Sequence, residues 1–391
     1  MDNKGLYGRT IDRPSTLDRF HKLKTRILNP SRRKMVRLLA GVNRMPLLGG
    51  AVARFTRQVI GPSLHAIKLE VNAYCNQRCR TCYIEKKKID LPRDVIAAIA
   101  RDIAGYNINI EIIGGEPLMR DDIVDIVRDT KVLGRSPRVS LYTNGTLATP
   151  ALCEKLKAAG LDAALVTLHS HVPERHDSLT REAGSWDKTI AGISAFKAAG
   201  IKVYVATVAH RENVADIKET GRFVEQDLGA SFILTKYIPD SANSPFTLTS
   251  KEWREVRRWL IREQKVAHMK EVESFFSLTG SCPSGNYIIA VKADGTVQPC
   301  PFATGFTLGT VPAQSIWEIY ENRFKLEKFR QLKQIPNQCD PCVLKHLCGG
   351  GCRSASYGVF DGICGKDPLC GGPFTEFPKD EEVLEALPIH Y

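Results

Sequence analysis

The chain of 391 residues is 43% hydrophobic and 25% charged, with 12 cysteines and a formal net charge of +12. That length favours two or three domains with full cores, and the composition excludes wholesale disorder. No apolar run approaches the ~18–20 residues of a spanning helix, and the polar first 30 residues do not read as a signal peptide.

The expected setting is therefore cytoplasmic and reducing, where clustered cysteines are metal ligands more often than cystines. Residues 1–60 hold 14 Lys and Arg against 3 Asp, nearly the whole net charge. A basic excess confined to one arm, taken as residues 1–62, argues against a nucleic-acid-binding surface on the body. Within the arm, residues 31–60 read as two short helical pieces broken by Pro46 and Gly49-Gly50. Their interleaved apolar and basic residues suit an interfacial helix on an anionic membrane. They suit equally a helix packed on the protein's own surface. Peripheral contact with a membrane, docking of an acidic partner and simple packing are all left open.

From residue 66 a regular alternation begins. Strand-like runs occur at Ile67–Val71, Ile108–Ile113, Val139–Thr143, Ala164–Leu168, Val203–Val208 and Phe232–Thr235. Helical patterns lie between them at 92–104, 121–133, 149–159, 187–199 and 213–227. Gly134, Gly160 and Gly200 stand where helices should stop, and Thr149-Pro150 is a good N-cap followed by a good first helical position. Six strands alternating with helices predict a parallel sheet. Curled, it is a partial (β/α)6 barrel over residues 63–248, an α/β fold resembling a TIM barrel, with its site at the C-terminal strand ends.

Chemistry-bearing residues do follow the strands. After the first comes Cys75-Asn76-Gln77-Arg78-Cys79-Arg80-Thr81-Cys82-Tyr83. A structural zinc site would want a fourth Cys or His nearby, and the next 70 residues contain neither. Three thiolates can instead hold three irons of a [4Fe-4S] cubane and leave the fourth open. After the second strand stands Gly114-Gly115-Glu116-Pro117, where paired glycines allow close backbone approach. After the third stands Tyr142-Thr143-Asn144-Gly145-Thr146. After the fourth come His169-Ser170-His171 and then His176 through Arg181. Those histidines read as loop hydrogen-bonding groups or, less naturally, as metal ligands.

Residues 249–266 form an amphipathic helix within a linker, 249–276. Cysteines then return in a region spanning 277–376, ahead of a tail at 377–391. Cys282 precedes a hairpin signalled by Asp294-Gly295, and Cys300 closes its second arm. Cys339, Cys342, Cys348 and Cys352 follow, with Cys364 and Cys370 behind. This is not a common zinc layout, although two CxxC-like pairs could bind zinc.

The C-x3-C-x2-C spacing with its following aromatic, and the GGEP after the next strand, resemble the signature of the radical S-adenosylmethionine (SAM) superfamily. The resemblance implies that a cluster on Cys75, Cys79 and Cys82 cleaves SAM to a 5′-deoxyadenosyl radical. It implies SAM contacts from Tyr83, Gly114, Gly115, Glu116, Pro117 and Asn144, with Ser170 at the ribose and Arg181 on the SAM carboxylate. The later cysteines are similar to a SPASM domain, which carries one or two auxiliary iron–sulfur clusters. Carried over, Cys339, Cys342, Cys348 and Cys370 hold one cluster, and Cys282, Cys300 and Cys352 the other. Cys364 has no counterpart. The implied activity is an oxidoreductase modifying a peptide or small metabolite, served by a reductant protein such as flavodoxin or ferredoxin. The alternatives are a tetrapyrrole side-chain enzyme of the heme-biosynthesis type and an iron–sulfur scaffold without turnover. Sulfatase-maturing relatives place an Asp after the hairpin cysteine; here Pro301 follows Cys300, which argues against their chemistry.

Overall fold

The computed structural model describes residues 64–263, 282–360 and 365–376. The basic arm, Cys364 and the tail lie outside them. Six parallel strands run β1 Ala66–Glu70, β2 Asn109–Ile113, β3 Val139–Thr143, β4 Ala163–Thr167, β5 Lys202–Ala209 and β6 Ser231–Lys236. The connections carry α1 Arg93–Asp102, α2 Ile123–Val132, α3 Pro150–Ala158, α4 Pro173–Thr180, α5 Ser185–Ala198 and α6 Ile217–Arg222. Each expected strand lies where its apolar alternation placed it, to within a residue at either end. Parallel neighbours need crossovers, and the amphipathic stretches between the strands supply them.

Local stops behave as their chemistry dictates. Thr149 Oγ1 accepts the Leu152 N–H at 3.2 Å and Pro150 opens α3. Gly160 and Gly200 follow their helices with φ of +101° and +71°, conformations that a side chain resists. The expected helix at 213–227 is instead a short 3-10 turn, α6, and a π turn at Phe223–Asp227. The eight-residue α4 carried too few apolar positions to show a period, since only His176, Leu179 and Thr180 of it are buried.

The outer face of the sheet packs on the helices. Ile67, Leu69, Ile110, Ile112, Leu141 and Val205 join Ile96, Ile99, Ile126 and Phe196 in one buried core. The inner face differs. Lys68, Glu111, Tyr142, Leu165, Ala206 and Ile233, all inward by the two-residue alternation, keep partial exposure.

The hairpin forms as expected, β7 Ile288–Val291 with β8 Thr296–Gln298, and Gly295 turns it at φ +84°. What local pattern could not reveal is its partner. β7 pairs in parallel with β1, so the sheet runs β6-β5-β4-β3-β2-β1-β7-β8-β9, ending at the two-residue β9, Gly309–Thr310. The Lys292–Glu70 ion pair and the His65–Tyr287 ring stack, at 5.5 Å, fasten the junction. The amphipathic helix, α7 Ser250–Glu263, is capped reciprocally by Thr249 and Glu252 and buries Trp253, Val256, Trp259 and Leu260. Beyond the hairpin lie α8 Ile316–Asn322, α9 Glu327–Lys333, α10 Lys345–Cys348 and α11 Arg353–Val359.

Candidate functional site

The Cys75–Cys82 loop is held from four sides at the C-terminal ends of the strands. Gly115 N–H donates to Asn72 O at 2.9 Å and Glu116 N–H to Tyr74 O at 2.8 Å. Arg78 and Arg80 donate their N–H groups to Thr180 O and Leu179 O, both at 3.0 Å. Asn144 Nδ2 donates to Asn76 Oδ1 at 2.8 Å, and Arg80 pairs with Glu212 at 2.6 Å. A loop tied this way presents its thiols in one place without needing a helix or strand of its own.

The two glycines have a specific reason. A Cβ on Gly114 would strike Asn72, and one on Gly115 would fall inside the backbone of Tyr74. Their close approach is therefore to the cysteine loop itself. Overpacking of this kind costs about 1–3 kcal/mol. Gly115→Ala should displace Tyr74 and with it Cys75, giving protein with less loop iron and slower SAM cleavage; wild-type values for both would contradict this.

Glu116 is wholly buried. Its carboxylate accepts from Thr143 Oγ1 at 2.6 Å, Asn144 N–H at 2.7 Å and Leu118 N–H at 3.0 Å. Burial pushes its pKa up, against those hydrogen bonds. The side chain thus locks the end of β2 to the end of β3, while Pro117 starts a short 3-10 turn. Arg181 caps α4 at φ +57°, exposed beside the loop that Thr180 anchors. Ser170 is buried and its hydroxyl is engaged by Asp216 at 3.1 Å and the Val172 N–H at 3.0 Å, so no face of it is open to a ribose here. Tyr83 lies exposed against Phe302, ring centroids 4.5 Å apart, and joins the cysteine loop to the segment after Cys300.

The thiols act on one another electrostatically in three sets. Cys79 is pushed up to about 12 by burial and then by Cys82 and Cys75. Cys339 is raised by burial and then by Cys370 and Cys342; Cys348 is raised by burial and then by Cys370, with Asp367 and Cys339 adding to it. Cys300 is raised by burial and by Cys282, and Cys352 by burial and Cys282 against the opposing Lys236. Among the described residues no three ligands converge as one ion would require. A cubane spreads its ligands over separate irons. Peptide N–H groups point at the sulfurs of Cys75, Cys352, Cys370 and Cys342, each at 3.4 Å. Lys333 donates to Cys282 O at 3.2 Å and feels Cys282 and Cys300. Burial favours the thiol on balance, and the N–H donors on sulfur and the nearby lysines oppose it; thiols grouped this way, with donors on sulfur, fit iron–sulfur clusters.

Two features escaped the sequence. Lys236, at the end of β6, forms a fully buried pair with Asp367 at 2.5 Å. Asp367 also accepts the Cys352 N–H at 2.7 Å and the Leu369 N–H at 2.9 Å. The Lys366-Asp367-Pro368-Leu369-Cys370 run was the only local signal. The second is a histidine trio of different membership. His171 bonds Thr220, whereas His169 meets His176 and His210, ring centroids 5.7 and 6.4 Å away. Burial pushes His169 down to about 3 and His176 and His210 down to about 4. The unfolded chain binds protons that these rings refuse, so stability should fall as pH drops from about 6.5 toward 4. Thermal melts of wild type and His169→Asn should show the shallower acid dependence in the variant; equal slopes would count against it.

Comparison with known proteins matches residues 69–224 to the radical SAM superfamily and residues 282–343 to the SPASM iron–sulfur cluster-binding domain. An AdoMet-dependent heme synthase from Methanosarcina barkeri is 24% identical over 336 residues, spanning 78% of this chain and 95% of the relative. A probable GTP 3′,8-cyclase from Saccharolobus islandicus is 30% identical over 241 residues, 59% of this chain and 75% of the relative. The Streptococcus suis SuiB structure bound to precursor peptide SuiA shares the fold at TM-score 0.66 and 14% identity, covering 82% of this chain and 79% of its own.

Proposed function

Because the chain belongs to the radical SAM superfamily and carries a SPASM domain, we propose that it oxidatively modifies a peptide or small-metabolite substrate. When bound, the cluster on Cys75, Cys79 and Cys82 supplies the electron that splits SAM, and the SPASM clusters supply an acceptor for the electron left on the product. The observation that carries the reading is one loop of three thiols pinned to the ends of β2, β3 and α4, with two further cysteine sets behind it.

The chain's own residues have the remaining work. Exposed Arg181 offers a planar guanidinium to the SAM carboxylate. Gly114 and Gly115 offer main-chain carbonyls to the SAM ammonium, those of Glu116 and Pro117 being engaged within the protein, and Asn144, steadied by Thr146, stands between that turn and Cys75. Tyr83 and Phe302 cover the loop and keep water from the reacting centre. Reducing power comes from a protein such as flavodoxin or ferredoxin. For the basic arm we propose docking to an anionic membrane or an acidic partner, with packing on the protein's own surface as the alternative. Among the described residues no helix is long and apolar enough to cross a membrane.

The SuiB complex supports the peptide reading, since that neighbour is bound to its precursor peptide SuiA. The heme synthase relative, spanned over 95% of its length, favours tetrapyrrole side-chain chemistry as the second reading. Anaerobic protein with dithionite should convert SAM to 5′-deoxyadenosine. Turnover of a candidate peptide or tetrapyrrole should stop in Cys348→Ala while some SAM cleavage persists. Zinc without sulfide in the isolated protein, or no SAM cleavage, would sink the proposal.

A further inference from the structure

We propose that Lys333 and Lys366 are separate counter-charges, one for each SPASM cysteine set, each raising the reduction potential of the cluster its own set holds. The proposal rests on the iron–sulfur reading above and goes beyond it, from the residues that hold iron to those that set its potential. Cysteines bind metal as thiolates, so each set gathers negative charge that the protein must offset. Net charge is one of the quantities that fix the potential of an iron–sulfur cluster.

Lys333 closes α9 and faces the set of Cys282 and Cys300. Its ammonium donates to Cys282 O at 3.2 Å and lies 5.6 Å from the Phe329 ring centroid. Burial opposes its charge, Cys282 and Cys300 favour it, and Arg323 and Arg353 work against it. Lys366 faces the set of Cys339 and Cys370. Its ammonium donates to Gly372 O at 2.8 Å, and the Gly372 N–H points in turn at Cys370 Sγ at 3.4 Å. Its charge favours the thiolates of Cys339 and Cys370. Both lysines are half-buried. Each ammonium is held by a main-chain carbonyl, and among the described residues neither makes an ion pair with a carboxylate.

The other buried charges nearby do not separate the two sets. Lys236 bears on Cys352, but its pair with Asp367 leaves no net charge there. Asp367 itself bears on Cys348, Cys352 and Cys370, one thiol of one set and two of the other. Arg353 is shared as well. It donates to Leu332 O at 3.3 Å and to Gly365 O at 2.9 Å, the residues just before Lys333 and Lys366. It thereby fixes both lysine-bearing segments, and its charge is felt by Cys339 and Lys333 alike. The two lysines are the cations that face one set each.

Potentiometric titration of the anaerobically reconstituted holoprotein, followed by electron paramagnetic resonance, reads each cluster by its own signal. A cation favours the reduced, more negative state, so removing it should lower the potential. Lys333→Met should cut the reduced-to-oxidised ratio of one SPASM signal about tenfold at a fixed poise, about 59 mV for one electron. Lys366→Met should do the same to the other signal, the one missing from Cys348→Ala. Lys333→Arg and Lys366→Arg keep the charge and should restore most of each shift, which a merely structural role would not require. The proposal is overturned if both methionine variants move one signal, if either moves none, or if the arginine variants shift as far. It is overturned equally if the signal that Lys333→Met moves vanishes in Cys348→Ala. Iron and sulfide counted in the same preparations read the proposed function separately. Too little for two SPASM clusters would sink that reading and this one with it, whereas full clusters with unmoved potentials would sink this one alone.

Discussion

Cys79→Ala is expected to abolish reductive SAM cleavage while leaving iron and sulfide at the SPASM sites. Cys79 is the thiol of its loop with the largest upward shift, driven by burial and by the neighbouring thiols Cys82 and Cys75. Its loss would remove one of the three proposed cluster ligands and leave two, too few to hold an open-iron cubane. The backbone ties at Arg78 and Arg80 do not involve its side chain, so the loop keeps its place. Changing partners that merely support metal ligands already costs 10–100-fold, so removing a ligand should exceed about 100-fold. Iron, sulfide and 5′-deoxyadenosine measured together decide the matter. Cleavage within tenfold of wild type would show that Cys79 is not a ligand.

Lys236→Met is expected to give the largest loss of stability of any single change at the surface between the sheet and the later cysteines. The ammonium and the Asp367 carboxylate are both wholly buried, and their contact spans 131 positions in the chain. Removing one partner strands the other charge in a dry interior, at a cost of about 3–5 kcal/mol. The effect should reach the metal. Asp367 holds the Cys352 N–H, and its own carbonyl accepts the Cys370 N–H at 2.9 Å. Asp367 therefore holds, by its carboxylate and its main-chain carbonyl, one cysteine from each of the two proposed SPASM sets. Lys236→Met should melt earlier and retain less iron, and Lys236→Met/Asp367→Asn should recover part of both, because the stranded charge is gone. A single variant with wild-type melting and iron would refute the argument.

What was legible in the sequence was short in range. Alternation over five or six residues located β1 to β6, Asp294-Gly295 located the hairpin, and the spacing of Cys75, Cys79 and Cys82 carried the resemblance to the radical SAM superfamily. Each of these signals arises from geometry that repeats or closes within a few residues, so it is written wherever the residues stand together. The tertiary structure alone decided the rest. It set β7 against β1, put Cys282 within electrostatic reach of both Cys300 and Cys352, and paired Lys236 with Asp367. It also exchanged His171 for His210 in the buried histidine group, and used Gly115 to admit Tyr74. These partners meet only after the chain has curled, and no local period or turn preference records a contact made across a hundred residues. Such contacts follow from which buried surfaces fit one another, a property that belongs to the folded chain as a whole.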